Sequence, residues 1–320
     1  MARNNSSKFA GKKVLVTGGA GYVGSVLVPR LLTNGYQVRV LDNLMYQTNG
    51  LSLNFLNPKF EFVNGNVGDA KTVQDCLKGV DAVIHLAAIV GFPACKKDPE
   101  LAKSVNFAAS EMLAQITPNH IPIIFSSTCS IYGENNEGLC TEETPPQPIS
   151  LYGETKAEAE KYFQQRENSV IFRFATAFGM SARPRLDLMI NDFVYQAIWK
   201  KFLIVYERYY KRGFIHVSDM ADLFVFALEN HERMAGGVFN AGSPELNLTK
   251  EDVAKKILEK VPFYLHFAEV GTDEDKRNYI LSYKKLDALG FRTKVNLDRG
   301  LDELISGLAT IRIISPYSNA

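Results

Sequence analysis

The chain has 320 residues, 46% apolar and 22% charged, with a formal net charge of +1. These are ordinary soluble values with room for one large or two modest domains. A near-balanced charge without basic or acidic blocks argues against binding nucleic acid or a membrane surface through gross electrostatics, and no apolar run reaches the 18 residues of a membrane span. The opening MARNNSSKFAGKK has no apolar signal-like core, so residues 1–11 read as a short disordered arm. Cys76, Cys95, Cys129 and Cys140 contain no CxxC pair, which suits the cytoplasm, and Cys129 reads as a packed thiol without a base. The five histidines lack metal-ligand spacing, and no metal site is expected.

KKVLVT is a short β-branched run of the kind found in buried parallel strands. It enters Thr17-Gly-Gly-Ala-Gly-Tyr-Val-Gly24, and SVLVPRLLTNG follows as an apolar-periodic helix stopped at Asn34-Gly35. Gly18 permits a tight turn, Gly21 lets a pyrophosphate approach the backbone, and Gly24 lets helix and strand close together. Unpaired N–H groups at the helix start would face that pyrophosphate. YQVRVLDNL is a second strand ending at Asp42, placed where a carboxylate grips an adenosine ribose diol and repels a 2′-phosphate. NAD rather than NADP is the expected cofactor.

Strand and helix keep alternating: KFEFVNG, a helix around 71–78, DAVIHLAA, a helix from 99 to 117, then IPIIFSS. That rhythm predicts an α/β fold with a doubly wound parallel sheet. Ligands in such folds sit beyond the strands' carboxyl ends, here the loops Asn64–Asp69, Ala87–Gly91 and Ser126–Gly133. Glu134–Ser150, with Pro145, Pro146 and Pro148, reads as a long loop. It leads to Tyr152-Gly-Glu-Thr-Lys156 at the head of a helix, where i,i+4 spacing stacks phenol and ammonium on one face. A cation about 4–6 Å away at an effective dielectric of about 20 favours the phenolate by about 3–4 kcal/mol. Tyr152 is thereby a candidate proton acceptor for an alcohol under oxidation.

After RFATAFG the character changes, with clustered arginines and an amphipathic helix in MSARPRLDLMINDFVYQAIWKKFLIVY. GGVFNAGS at 236–243 reads as a strand returning to the first sheet, and the tail carries helices around 249–260, 284–289 and 298–307 before an unpatterned Ile311–Pro316. The division expected is a dinucleotide-binding Rossmann domain over 12–180, with a return segment at about 213–243. A smaller interleaved substrate domain takes 181–212 and 244–320.

In this order the fragments TGGAGYVG, Asp42-Asn43, HLAA at 85–88, VN at 105–106, SSTCSIYG at 126–133, Tyr152-xxx-Lys156, RFATAFG, RGFIHVSDMAD at 212–222 and FNAGS resemble the extended short-chain dehydrogenase/reductase superfamily, in its NAD-dependent nucleotide-sugar epimerase/dehydratase branch. The resemblance covers about residues 12–308. It implies Tyr152 as catalytic base, Lys156 as its partner on the nicotinamide ribose, and Thr128 as the hydroxyl on the reacting sugar oxygen. It implies a cofactor site built from Gly18, Gly21, Tyr22, Val23, Asp42 and Asn43, with Asn66, Val67, Leu86, Ala87, Ala88 and Ser126 beyond. Asn106 matches an Asn that supports a proton-relay water chain, or is a helix-interior amide facing the core. Thr176, Arg183, Arg185, Arg212 and Arg277 are the candidates for the sugar nucleotide. Arg212 leads them because it precedes FIHVSD, and one of Arg183 and Arg185 is expected at the surface. A homodimer through the helices around 99–117 and 150–166 is also implied.

Three positions depart from the family pattern. Asn66 stands for an Asp, Val90 for a lysine near the pyrophosphate, and Thr176 for an Asn near the sugar nucleotide. Relatives that dehydrate carry Asp-Glu after the active-site Thr, and relatives that decarboxylate carry Glu at the position of Ser130; here Cys129-Ser130 follows Thr128. Reductases of 4-keto sugars usually prefer NADP, against Asp42. The expectation is an NAD-dependent nucleotide-sugar epimerase working through a transient 4-keto sugar. A C4 dehydrogenase that releases the ketone is the alternative, and a non-catalytic NAD sensor the remote one.

Overall fold

The computed structural model describes residues 11–46, 50–270 and 277–312. The expected arm at 1–11, save Gly11, and all but the first two residues of Ile311–Pro316 lie outside them.

Five strands alternate with helices through the first half: β1 (Lys13–Thr17), β2 (Gln37–Asp42), β3 (Phe60–Asn64), β4 (Ala82–His85) and β5 (Ile123–Thr128). Next come β6 (Glu134–Cys140), β7 (Val170–Phe174), β8 (Thr176–Phe178), β9 (Phe202–Tyr206), β10 (Lys211–His216) and β11 (Val238–Ala241). The last three are β12 (Asn247–Thr249), β13 (Tyr264–Ala268) and β14 (Asn278–Leu281). Seven strands form one sheet in the order β11-β7-β5-β4-β1-β2-β3, and every pairing in it is parallel. This is the Rossmann arrangement, with its switch point between β1 and β4.

Both faces of the sheet are covered, so its strands read as continuous apolar runs rather than alternating ones. Val14, Val16, Val40 and Ile84 pack with Leu27, Val28 and Leu31 of helix Gly24–Thr33 and with Phe224 of helix Val217–Glu229. Leu15, Leu41, Val83 and Phe125 point to the opposite layer, meeting Val73, Leu113 and Phe163. Another cluster lies apart from the sheet, formed by Phe178, Ile190, Val194, Leu203, Phe214, Val253, Ile257, Leu301 and Leu304.

Two local readings change. The Glu134–Ser150 loop contains a strand, β6, which pairs parallel with β14 (Ile280 opposite Leu139) and so takes its hydrogen bonds from far along the chain. The helix expected over 99–117 runs as Pro99–Lys103, a wider π turn at Ser104–Ala108, and Ala109–Ile116. Asn106 in that turn is fully buried.

Candidate active site

One cavity opens at the carboxyl ends of the sheet strands. Gly18, Gly21, Tyr22, Val23, Asp42, Asn43, Asn66, Val67, Leu86, Ala87, Ala88 and Ser126 line it together with Thr128, Tyr152, Lys156, Thr176, Arg183, Arg185 and Arg277. Asn106 and Arg212 are not among the lining residues. Asn106 Oδ1 accepts from Ile89 N at 2.7 Å, and its Nδ2 donates to Ile89 O at 2.9 Å and Thr155 Oγ1 at 3.3 Å. It therefore holds the loop after β4 against the Tyr152 helix. Arg212 is buried within β10 opposite Leu248. The expectation of one surface arginine also fails: Arg183 is 1% exposed and Arg185 6%.

The glycine turn explains its own composition. Gly18 has φ +72°, and a Cβ there would come within 2.6 Å of Ala87 N. Gly24 meets the backbone of Gly19, so its bareness serves the turn itself. A Cβ on Gly21 would meet nothing closer than Gly18 O at 3.2 Å, which leaves that backbone open to the cavity. Asp42 Oδ2 accepts from Ala20 N at 2.9 Å and Oδ1 from Leu44 N at 2.8 Å. Burial pushes its carboxyl up, and those amides and Arg183 pull it back. A carboxylate has about four lone-pair positions, so acceptor capacity remains for a ribose diol. Asn66 Oδ1 is turned onto Gly68 N at 2.9 Å. Nε and Nη2 of Arg183 and Oγ1 of Thr176 are buried with no hydrogen-bond partner, a cost that a ligand would relieve. These residues fit an NAD molecule.

Tyr152 and Lys156 sit in the first turns of helix Leu151–Gln164, whose N-terminus is capped by Ser150 Oγ accepting from Gly153 N at 3.2 Å. Thr128 closes β5 and starts a tight turn at Cys129–Tyr132. Its Oγ1 donates to Ser130 Oγ at 3.0 Å, and Arg277 Nη1 donates to the same Ser130 oxygen at 2.5 Å. Ser130 also lines the cavity, at the position where decarboxylating relatives carry Glu.

The expected lowering of the Tyr152 phenol is outweighed by its burial. Burial raises it to about 12 and Cys95 adds to the rise, while Arg185, Arg277 and the hydrogen bond with Thr128 pull it down. Lys156 is 2% exposed, with Nζ 4.0 Å from the centroid of the Phe125 ring. Burial lowers its ammonium to about 7, against the opposing pull of Glu160. Charge on this pair is thus set by desolvation first. Cys129 is buried with Sγ donating to Arg173 O at 3.0 Å, and burial raises its thiol well above the usual value.

The carboxylate that opposes the lowering of Lys156 has no motif to mark it in the sequence. Glu160 lies one further turn along the same helix and takes Ser127 Oγ, Nε of Arg173 at 3.2 Å and Nη2 of Arg173 at 2.8 Å. Asp42 is the single carboxylate among the described residues lining the cavity. Cysteines 76, 95, 129 and 140 are all buried and free. No helix of the described residues is long and apolar enough to cross a membrane.

Residues 14–242 match the profile of the NAD dependent epimerase/dehydratase family. A putative UDP-glucose 4-epimerase of Methanocaldococcus jannaschii is 27% identical over 310 residues, covering 92% of this chain and 97% of that protein. A putative UDP-arabinose 4-epimerase of Arabidopsis thaliana is 31% identical over 75% of this chain and 66% of its own length. Among solved structures, the UDP-glucuronic acid 4-epimerase of Bacillus cereus, in complex with UDP-glucuronic acid and NAD, superposes with a TM-score of 0.83 at 26% identity, covering 94% of this chain and all of that one. With the glycine turn, Asp42 and the Tyr152/Lys156 pair gathered in one cavity, the chain belongs to the NAD-dependent epimerase/dehydratase family.

Proposed function

We propose that the protein is an NAD-dependent nucleotide-sugar epimerase that inverts carbon 4 of a UDP-sugar. The carrying observation is the convergence of Thr128, Tyr152, Lys156, Thr176 and Arg277 in the cavity that also holds the glycine turn. The UDP class is supported by the names of the relatives. Bound NAD supplies reversible hydride transfer. Tyr152 receives the proton of the C4 hydroxyl, and Thr128 donates to the oxygen as it becomes a ketone. Lys156 holds the nicotinamide ribose. Arg277 and Arg185 balance the substrate diphosphate, though Arg185 is already engaged by Asp187. Water elimination needs a second acid and base at the sugar, and Asp42, the lone carboxylate on the described lining, ends β2 beside the glycine turn.

The division into an NAD half (12–180 with 213–243) and a sugar-nucleotide half (181–212 with 244–320) is supported by the separate apolar cluster around Ile190, Leu203 and Leu301, onto which Phe178 and Phe214 of the first half pack. Two copies pairing through Pro99–Ile116 and Leu151–Gln164 would cover Phe107, Met112 and Tyr162, which stay half-buried on those helices. Sedimentation as a monomer at micromolar concentration would count against that pairing. A cytoplasmic location is supported by four free, buried cysteines.

The test is a panel of UDP-sugars followed by NMR for inversion at carbon 4, with absorbance at 340 nm read in parallel. Inversion without accumulating NADH is expected; a released ketone with stoichiometric NADH would replace the epimerase by a dehydrogenase. Tyr152→Phe should lower turnover by about 10²–10⁴-fold while NAD still binds. Near-normal turnover in that variant would return the pair at 152 and 156 to ordinary helix packing.

A further inference from the structure

The segment after β8 docks on the glycine turn. Tyr22 Oη donates to Gly179 O at 2.8 Å, Ser181 Oγ donates to Tyr22 O at 2.7 Å, and Ser25 Oγ and Ser181 Oγ lie 2.7 Å apart. Arg183 N then donates to Ser25 Oγ at 3.3 Å. Ser25 is in the first turn of helix Gly24–Thr33, directly after Gly21, Tyr22 and Val23 of the cavity-lining glycine turn. The backbone of Arg183 is therefore pinned beside the point where a dinucleotide's pyrophosphate would meet that helix.

Its side chain is built for an anion. The guanidinium stacks on Tyr46, Cζ 4.1 Å from the ring centroid, which holds its plane and shields it from water. Arg183 is 1% exposed and lines the cavity, with Nε and Nη2 donating to nothing. An arginine does not shed its charge to escape such a position. The neighbouring cations are already engaged: Arg185 by Asp187, Arg277 by Ser130, and Lys156 over Phe125. Val90, at the cavity wall, brings no charge.

We propose that Arg183 is a cofactor residue rather than a substrate residue: its Nε and Nη2 clamp the NAD pyrophosphate against the glycine turn, with Tyr46 as the stacking support, in place of a cation that position 90 does not supply. This rests on the NAD dependence of the family and not on which sugar is turned over. It also separates the two arginines of Arg183-Pro-Arg185, one toward each nucleotide.

Binding isotherms of the full-length protein freed of nucleotide test the assignment without any turnover. ADP-ribose carries the cofactor's pyrophosphate, and UDP carries the substrate's. Arg183→Met should weaken ADP-ribose and NAD by about 10- to 100-fold, the loss of a paired charge-assisted contact, and leave UDP within about twofold. Arg183→Lys keeps the charge without the fork and should fall between. Tyr46→Leu should weaken ADP-ribose by less than Arg183→Met. Unfolding midpoints of the nucleotide-free variants check that they fold, and if Arg183→Met does not, Arg183→Lys decides by the same comparison. Loss confined to UDP, equal loss of UDP and ADP-ribose, or no loss of either overturns the proposal. None of these outcomes depends on whether a UDP-sugar is epimerised.

Discussion

Replacing Glu160 by Gln should destabilise the protein more than its distance from the cavity lining suggests. The Glu160 and Arg173 side chains are 3% and 5% exposed, and Arg173 meets the carboxylate through both Nε and Nη2. Without the negative charge, Arg173 keeps Tyr132 Oη and Glu142 O, each at 3.0 Å, and one neutral amide oxygen as acceptors, with no anion left for a cation that cannot deprotonate. Breaking one side of a buried pair costs about 3–5 kcal/mol. Urea titration read as a fall in midpoint at constant slope is the assay. The paired replacement Glu160→Met with Arg173→Met should recover most of the loss, because it leaves no buried charge behind. A Glu160→Gln loss under about 1 kcal/mol would refute this account. It would mean that Ser127 and Tyr132, not the ion pair, hold the floor under Thr128.

Three further outcomes follow from the site. Calorimetry should show NAD binding more tightly than NADP, and Asp42→Asn should narrow the gap; tighter NADP binding by the native protein would contradict the role of Asp42. Lys156→Met should weaken NAD and turnover together, yet stabilise the nucleotide-free protein. Because burial lowers the folded Lys156 ammonium to about 7, its penalty is complete below pH 7 and fades as pH rises toward the unfolded lysine value, so the gain in urea midpoint should be largest near pH 6 and shrink above pH 7; a gain that grows with pH would contradict it. Thr128→Val should cost less turnover than Tyr152→Phe, as one hydrogen bond of about 0.5–1.5 kcal/mol is lost rather than the proton acceptor; the reverse order would exchange their roles.

Most of the cavity could be read from the chain because local rules dictate it. The glycine turn, the strand ending at Asp42 and the helix starting at Ser150 depend on backbone conformation, parallel-strand periodicity and capping, all of which act over a few residues. What stayed hidden depends on partners distant in sequence. The strand at Glu134–Cys140 exists because Asn278–Leu281 lies beside it, and no pattern within Glu134–Ser150 announces that neighbour. The burial of Arg183 follows from Ser181 docking on Ser25, and Arg212 stays out of the cavity because β12 and β8 flank β10. Asn106 was open between a water relay and a core amide, and the π turn that aims it at Ile89 has no sequence signature of its own.

The stripe at 152, 156 and 160 shows where reading by spacing stops. Steps of four put the phenol, the ammonium and the Glu160 carboxylate on one side of helix Leu151–Gln164, and the spacing of Tyr152 and Lys156 alone carries the first two. Spacing says nothing about which charges survive. Depth decides that: Tyr152 is pushed up to about 12 and Lys156 down to about 7 because both lose water, the opposite of what the bare pair would do in solvent for the phenol. Glu160 and Arg173 stay paired because each satisfies the other. Arg185 and Arg277 already pull the phenol down against burial, and an oxidised nicotinamide beside it would pull the same way, so proton acceptance by Tyr152 is tied to NAD binding. Ultraviolet difference titration should therefore show the Tyr152 phenolate at lower pH in the NAD complex than in the protein alone; an identical titration in both would break that link.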